Sequence, residues 1–283
     1  MYQIVEKRSL APGVHRLVVE APLVAAGAKA GNFVIVRTNN TGERVPLTIA
    51  GHDAERGTIV LVVQEVGKST IEMGRLKAGD AFLDVLGPLG MPTHIQRVDN
   101  LIAVCGGIGV APMLPAIRAH RALGSHVTTI VGARCKDLLI LGDEVEEASH
   151  EVIYATDDGS FGYHGFVTGA LEQLINGGRK FDQAIAIGPV RMMQATCGVT
   201  AKYGIPTIVS LNAVMVDGTG MCGCCRVTVD GATKFSCVDG PDFDGHKVDF
   251  NELVARQCFF RDEENLAKER LQHGEGGCRC HER

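Results

Sequence analysis

The sequence has no marked excess of either charge: 28 Lys and Arg stand against 33 Asp and Glu, for a net charge of −5. No basic field exists for nucleic acid to bind, which excludes that class of partner. Nor is there a long apolar run. The best candidate, Leu101 to Ile117, is broken by Gly106, Gly107, Gly109, Pro112 and Pro115, so no bilayer-spanning segment is expected. The opening residues, MYQIVEKRSL, carry charges and lack an apolar signal core. No repeat of solenoid length is visible, and tryptophan is absent. These absences lead to the expectation of a cytoplasmic protein, in which ten cysteines point to metal chemistry rather than to structural disulfides.

What is present is glycine, 35 residues of it, much in short clusters behind apolar runs. Residues 1–97 contain β-branched runs (VHRLVVEAP, GNFVIVRT, GTIVLVVQEVG, DAFLDVLGP) separated by Gly, Pro and Asp. Such spacing predicts an antiparallel β-barrel, with STIEMGRL as its single helix. From Asp99 the pattern changes. NLIAVCGG is a continuously apolar run, as expected of a strand buried on both faces. Strand-like and helix-like segments then alternate up to IPTIVSLN, which predicts an open parallel α/β sheet over 98–212. Residues 213–260 hold a cysteine-rich loop and two short strands, and 261–283 read as a charged helix and mobile tail.

In CGGIGVAP, glycines 106, 107 and 109 lie between a buried strand and a helix. A diphosphate can rest against such a backbone and take N–H groups from the helix start. Three further strand ends bear glycine: VGAR, with Arg134; TDDGSFG, with Asp158; and GPVRMM, with Gly188, Pro189 and Met192. Ligands of open α/β sheets bind at the carboxyl ends of the strands, so together these loops indicate a nucleotide. Arg134 could pair with a 2′-phosphate or cap its strand, leaving NADH against NADPH open. In the first domain RVPLTI places Arg44, Pro46, Leu47 and Thr48 near one strand. VGKST places Gly67, Lys68, Ser69 and Thr70 at a helix start, a second anion site.

The cysteine-rich loop reads VDGTGMCGCC, with a fourth thiol at Cys237. Cys222 and Cys225 are spaced C-x2-C, Cys237 follows after eleven residues, and Asp217 precedes Cys222 by four. The set is a plant-type 2Fe–2S arrangement with aspartate in place of the first cysteine. The alternative is a zinc knuckle using Cys222, Cys224, Cys225 and Cys237, although the adjacent Cys224 and Cys225 point apart on the backbone.

A barrel with R-x-P-L-T and G-x-x-[ST] loops, followed by GGxGxAP, resembles the ferredoxin–NADP reductase superfamily over residues 1 to about 215. The resemblance implies an FAD-binding β-barrel followed by a Rossmann-like NAD(H)-binding domain. Arg44 and the 67–70 loop would hold the flavin diphosphate, and Thr48 would lie at the flavin ring as the residue closest to catalysis. Pro46 stands where many relatives have tyrosine. With a 2Fe–2S loop third in order, the chain is similar to electron-transfer subunits of class B dihydroorotate dehydrogenases, which carry cysteine at all four ligand positions. VDGTGMCGCCRVTV with KFSCVDGPDFDGHKVDF resembles more closely the small subunits of NADH-dependent reduced ferredoxin:NADP oxidoreductases, the family also known as sulfide dehydrogenase subunits. That likeness covers residues 1 to about 260. It implies a cluster held by Asp217, Cys222, Cys225 and Cys237, and electron bifurcation with a larger FAD/4Fe–4S flavoprotein similar to glutamate synthase small subunits, through which ferredoxin is served. A colourless, zinc-stabilised nucleotide-binding regulator is the rival from another class. The tail residues Cys278, Cys280 and His281 carry no implied role.

Overall fold

A computed structural model describes residues 1–273; the tail cysteines and His281 lie outside the described residues. The first domain comprises β1 (Tyr2–Ala11), β2 (Val14–Glu20), α1 (Pro22–Gly27), β3 (Phe33–Arg37), β4 (Val45–Asp53), β5 (Thr58–Gln64), α2 (Lys68–Arg75), β6 (Ala81–Phe82) and β7 (Asp84–Leu89). Its strands form one antiparallel sheet in the order β6-β1-β2-β5-β4-β3-β7. The sheet curls into a nearly closed barrel because alternate residues are large and apolar on one face only. Leu17 and Val19 of β2 and Ile59, Leu61 and Val63 of β5 are buried there, and Met73 of α2 packs into the same core. In this domain β1 and α1 escaped the sequence pattern. β1 buries only Ile4 and Ala11, so its charged outer face masks the alternation. α1 is a single short helix begun by Pro22.

The second domain runs through β8 (Asn100–Gly106), α3 (Val110–Ala122), β9 (His126–Ala133), α4 (Gly142–Ala148), β10 (Glu151–Thr156), β11 (Tyr163–His164), α5 (Val167–Asn176), β12 (Gln183–Ile187), α6 (Val190–Lys202) and β13 (Thr207–Ser210). These strands are parallel, ordered β11-β10-β9-β8-β12-β13. Met113 and Ile117 of α3 fill one face, and Leu171 of α5 with Met193 of α6 the other. Chain order reverses between β8 and β12, the place where such sheets open a crevice.

The remaining elements are β14 (Arg226–Val229), β15 (Ala232–Phe235), β16 (Asp242–Asp244), α7 (Phe250–Gln257) and α8 (Arg261–His273). β14 and β15 form a hairpin. β16 leaves that module and pairs antiparallel with β13, Phe243 opposite Val209, as the last strand of the α/β sheet. The segment expected as a separate domain over 213–260 is therefore stitched into its neighbour, with Phe243 in the core that the two share. The barrel is likewise welded on: Ala50 and Val62 join the core around α3, while Phe33 and Ile35 join the core beneath the cysteine loop. Among the described residues no helix is long and apolar enough to cross a membrane.

Candidate functional site

A cleft of about 930 Å³ lies between the barrel and the α/β sheet. The barrel contributes Pro46, Leu47 and Thr48 from β4 and Gln64 from β5. The sheet contributes the turn after β8 (Gly106, Gly107, Gly109), Arg134 after β9, Asp157 after β10, and Gly188, Pro189 and Met192 after β12. Residues 210–213, Met215 and Pro241 close it from the third side. Pro46, Leu47 and Thr48 thus meet the expected residues of the sheet on one cavity, the latter because all carboxyl ends of the parallel strands point the same way.

Glycine is obligatory at the crevice because two strand ends approach there. A Cβ on Gly109 would lie 2.3 Å from the Ile187 carbonyl oxygen, and one on Gly188 would lie 3.0 Å from the Gly106 nitrogen. On Gly106 it would strike Met192 Sδ. Gly107 differs: its φ is +56° and nothing lies within 4 Å of its missing Cβ. That is an open cradle at the start of α3 with room for a diphosphate against the backbone.

Several expected residues lie elsewhere. Asp158 does not line the cleft. Its carboxylate accepts from Ser160 N at 2.9 Å and from Ser160 Oγ at 2.6 Å, bonds that hold it below the usual carboxylate range. Asp157, one residue earlier, is the carboxylate on the cavity, and strand alternation alone cannot choose between the two where the chain turns. Thr70 caps its own helix, accepting from Val66 N and Gly67 N, and Ser69 donates to Glu43 at 2.6 Å. The 67–70 loop and Lys68 therefore sit outside the main cavity, beside a carboxylate from the β4 approach. Arg44 reaches across the fold: Nε donates to Val216 O at 2.7 Å and Nη2 to Asp217 O at 3.2 Å. Phe166, largely exposed at the start of α5, lines the mouth of the cleft and was invisible in the sequence because a lone aromatic has no period.

The cysteine loop follows the cleft directly, Met215 lining the cavity two residues before Asp217. Its side chains fall into two pairs. Cys225 and Cys237, both buried, place their Sγ atoms 3.1 Å apart. Burial, then the neighbouring Cys225, push the Cys237 thiol up to about 12. The second pair is Asp217 with Cys222. The Asp217 carboxylate accepts from Thr219 N at 2.9 Å and Cys222 N at 2.8 Å, and these bonds, Thr219 foremost, hold its pKa below the ordinary value. Gly218, Gly220 and Gly223 all take positive φ, so the loop can fold back on itself. The eight cysteines of the described residues are free thiols, and Cys224 is half-buried. Among the described residues no three Cys, His, Asp or Glu side chains converge on one metal position. The donor set suits a binuclear centre nonetheless. Two buried thiols side by side ionise only at a cost, which a bound cationic centre would offset.

An antiparallel barrel, a switch-point nucleotide cleft and a cysteine loop at its edge define an oxidoreductase of the ferredoxin–NADP reductase type with an iron–sulfur module. Residues 103–198 match the family described as an oxidoreductase NAD-binding domain, and residues 212–249 match the iron–sulfur cluster binding domain of dihydroorotate dehydrogenase B. A Thermotoga maritima protein described as a homolog of the electron transfer subunit of dihydroorotate dehydrogenase B (NAD(+)) is 46% identical over 95% of both chains. An uncharacterized Clostridium beijerinckii protein is 44% identical over 99% of both. A solved chain of an NADH-dependent reduced ferredoxin-NADP oxidoreductase, studied for flavin-based electron bifurcation, superposes with a TM-score of 0.92. It is 42% identical, over 96% of this chain and 98% of that one. The chain belongs to the family of dihydroorotate dehydrogenase B electron transfer subunits and their homologs, and is an electron-transfer oxidoreductase subunit.

Proposed function

We propose that this chain is the NAD(H)-linked FAD and 2Fe–2S subunit of an electron-bifurcating NADH-dependent ferredoxin:NADP oxidoreductase. The observation that carries the reading is continuity: the segment from Ser210 to Met215 that walls the nucleotide cleft leads directly into the cysteine loop, with Asp217 two residues on. A dinucleotide held at the strand ends and a cluster held by the loop are then neighbours.

Each group has its residues. Gly106, Gly107 and Gly109, with Gly188 and Pro189, would seat the nucleotide diphosphate, and Arg134 and Asp157 would flank its adenosine ribose. Pro46, Leu47 and Thr48 would form the barrel side of the flavin site, with Thr48 hydrogen-bonding the ring rather than supplying a proton. Lys68 and the amides of 68–70 would meet the flavin diphosphate. Asp217 with Cys222, and Cys225 with Cys237, would each hold one iron. When bound, flavin accepts electrons in pairs and the cluster passes them singly. The chain's own contribution is to orient the nucleotide, exclude water with Leu211, Ala213 and Met215, and keep both sites on one rigid body. No protein acid or base is needed for a hydride transfer.

The finer assignment rests on the similarity to the bifurcating complex and on Asp217, which stands where dihydroorotate dehydrogenase B subunits are expected to carry cysteine. On this reading the partner is a larger FAD/4Fe–4S flavoprotein, and ferredoxin is reached through it. Protein prepared anaerobically should be brown-yellow, contain flavin and two irons per chain, bleach with NADH, and give a low-temperature paramagnetic signal after reduction. Colourless protein with zinc in place of iron would refute the proposal, and a dihydroorotate-oxidising partner in pull-downs would redirect it to the dihydroorotate dehydrogenase complex.

A further inference from the structure

The loop that carries Asp217 is fastened to the barrel at two points. Arg44, in the approach to β4, donates to the carbonyls of Val216 and Asp217, 172 and 173 residues further along the chain. Next to it Gly218, at φ +76°, presses on barrel side chains so closely that a Cβ would meet Leu89 at 2.8 Å and Ile35 at 2.9 Å. The other pair, Cys225 and Cys237, is packed in the core shared with the α/β sheet. The thiol pair is thus held by packing in a core that includes Ile35, whereas the half-buried aspartate end has Arg44 as its charged fastener.

We propose that Arg44 is a positioning residue for the aspartate end of the iron–sulfur centre. By binding two successive carbonyls it fixes the backbone from which the Asp217 carboxylate projects, and so fixes that end of the cluster relative to the barrel. It also sets a permanent positive charge beside an anionic centre, which favours the more negative, reduced form and raises the reduction potential. The inference rests on the cluster reading above. Its rival is that the arginine serves only the flavin diphosphate, as the superfamily resemblance implies.

The two roles separate in the whole chain loaded anaerobically with FAD, iron and sulfide. Flavin content, iron content, the paramagnetic spectrum of the reduced centre, its midpoint potential and the rate of iron release to a chelator are compared for wild type, Arg44→Ala and Arg44→Lys. With both carbonyl bonds gone, iron should leave Arg44→Ala about tenfold faster, with an altered spectrum and a lowered potential. Arg44→Lys keeps the charge but replaces the planar two-nitrogen fork by a single ammonium of shorter reach, so its potential should recover more than its iron retention. An iron-free Arg44→Ala chain with an unchanged melting temperature supports the proposal in the same sense. A wild-type spectrum, potential and release rate in Arg44→Ala, with flavin lost, would overturn it in favour of the diphosphate role. No paramagnetic signal from the wild-type chain would instead overturn the cluster reading, and this inference with it.

Discussion

Replacing Gly109 by alanine tests the crevice at its narrowest point. The residue has φ −59°, so alanine meets no backbone strain, and any effect is steric. Its Cβ would sit 2.3 Å from the Ile187 carbonyl oxygen, 2.7 Å from its carbon and 2.9 Å from Gly188 Cα, all backbone atoms. Such contacts are not found below 3.0 Å, so β12 and β8 must part by at least 0.7 Å. Forcing one extra methyl into packed backbone costs about 1–3 kcal/mol. Because the displaced atoms are themselves the proposed diphosphate seat, much of that falls on binding, about 10- to 100-fold in affinity at 1.4 kcal/mol per decade. Titration with NADH, followed at the flavin absorbance alongside a melting curve, should show both weaker binding and a lower melting temperature, with flavin content retained. Gly107→Ala should separate the two effects. Its Cβ meets nothing within 4 Å, so the free protein bears only left-handed strain of roughly 1–2 kcal/mol, while the methyl stands in the cradle. Wild-type affinity in Gly109→Ala would show that the approach of β8 and β12 does not seat the nucleotide.

Three other outcomes follow from local environment. Gly198, exposed within α6 and clear of every neighbour by 4 Å, should gain about 0.5–1 kcal/mol on change to alanine, read as a higher denaturation midpoint without change in NADH affinity. Burial raises the pKa of Asp242 above its ordinary 3.8, against the opposing hydrogen bonds of Thr93 and Ser210. Its favourable contribution is therefore complete below pH 3.8 and lost as pH rises through the folded value. Asp242→Asn, which cannot ionise, should gain on wild type in melting temperature as pH is raised from 4 to 8, and a gap independent of pH would refute this. Asp217→Cys should retain a cluster of lower potential, since thiolate gives iron more electron density than carboxylate; an identical spectrum and potential would argue against ligation by Asp217.

The two-domain order was legible because it rests on local periodicity. Short alternating runs predict the barrel and continuous apolar runs predict the parallel sheet, whatever the rest of the chain does. The spacing of Asp217, Cys222, Cys225 and Cys237 was visible in the sequence as an expected ligand set, although its division into a buried thiol pair and a carboxylate-bearing pair was not. β1 and α4 were missed for a common reason: their exposed faces carry enough charge, as in EKRS of β1 and DEVEE of α4, to blur the apolar period.

By itself, then, the sequence determined which segments must be buried and which turns require glycine, and it named candidate side chains for phosphate and iron. Tertiary structure alone decided that Asp157 rather than Asp158 faces the cleft, that β16 closes the sheet of another domain, and that Arg44 grips a loop 172 residues away. Periodicity records the environment of a residue relative to its chain neighbours, whereas a hydrogen bond between distant segments depends on how whole layers pack, and leaves no mark on the spacing of either partner.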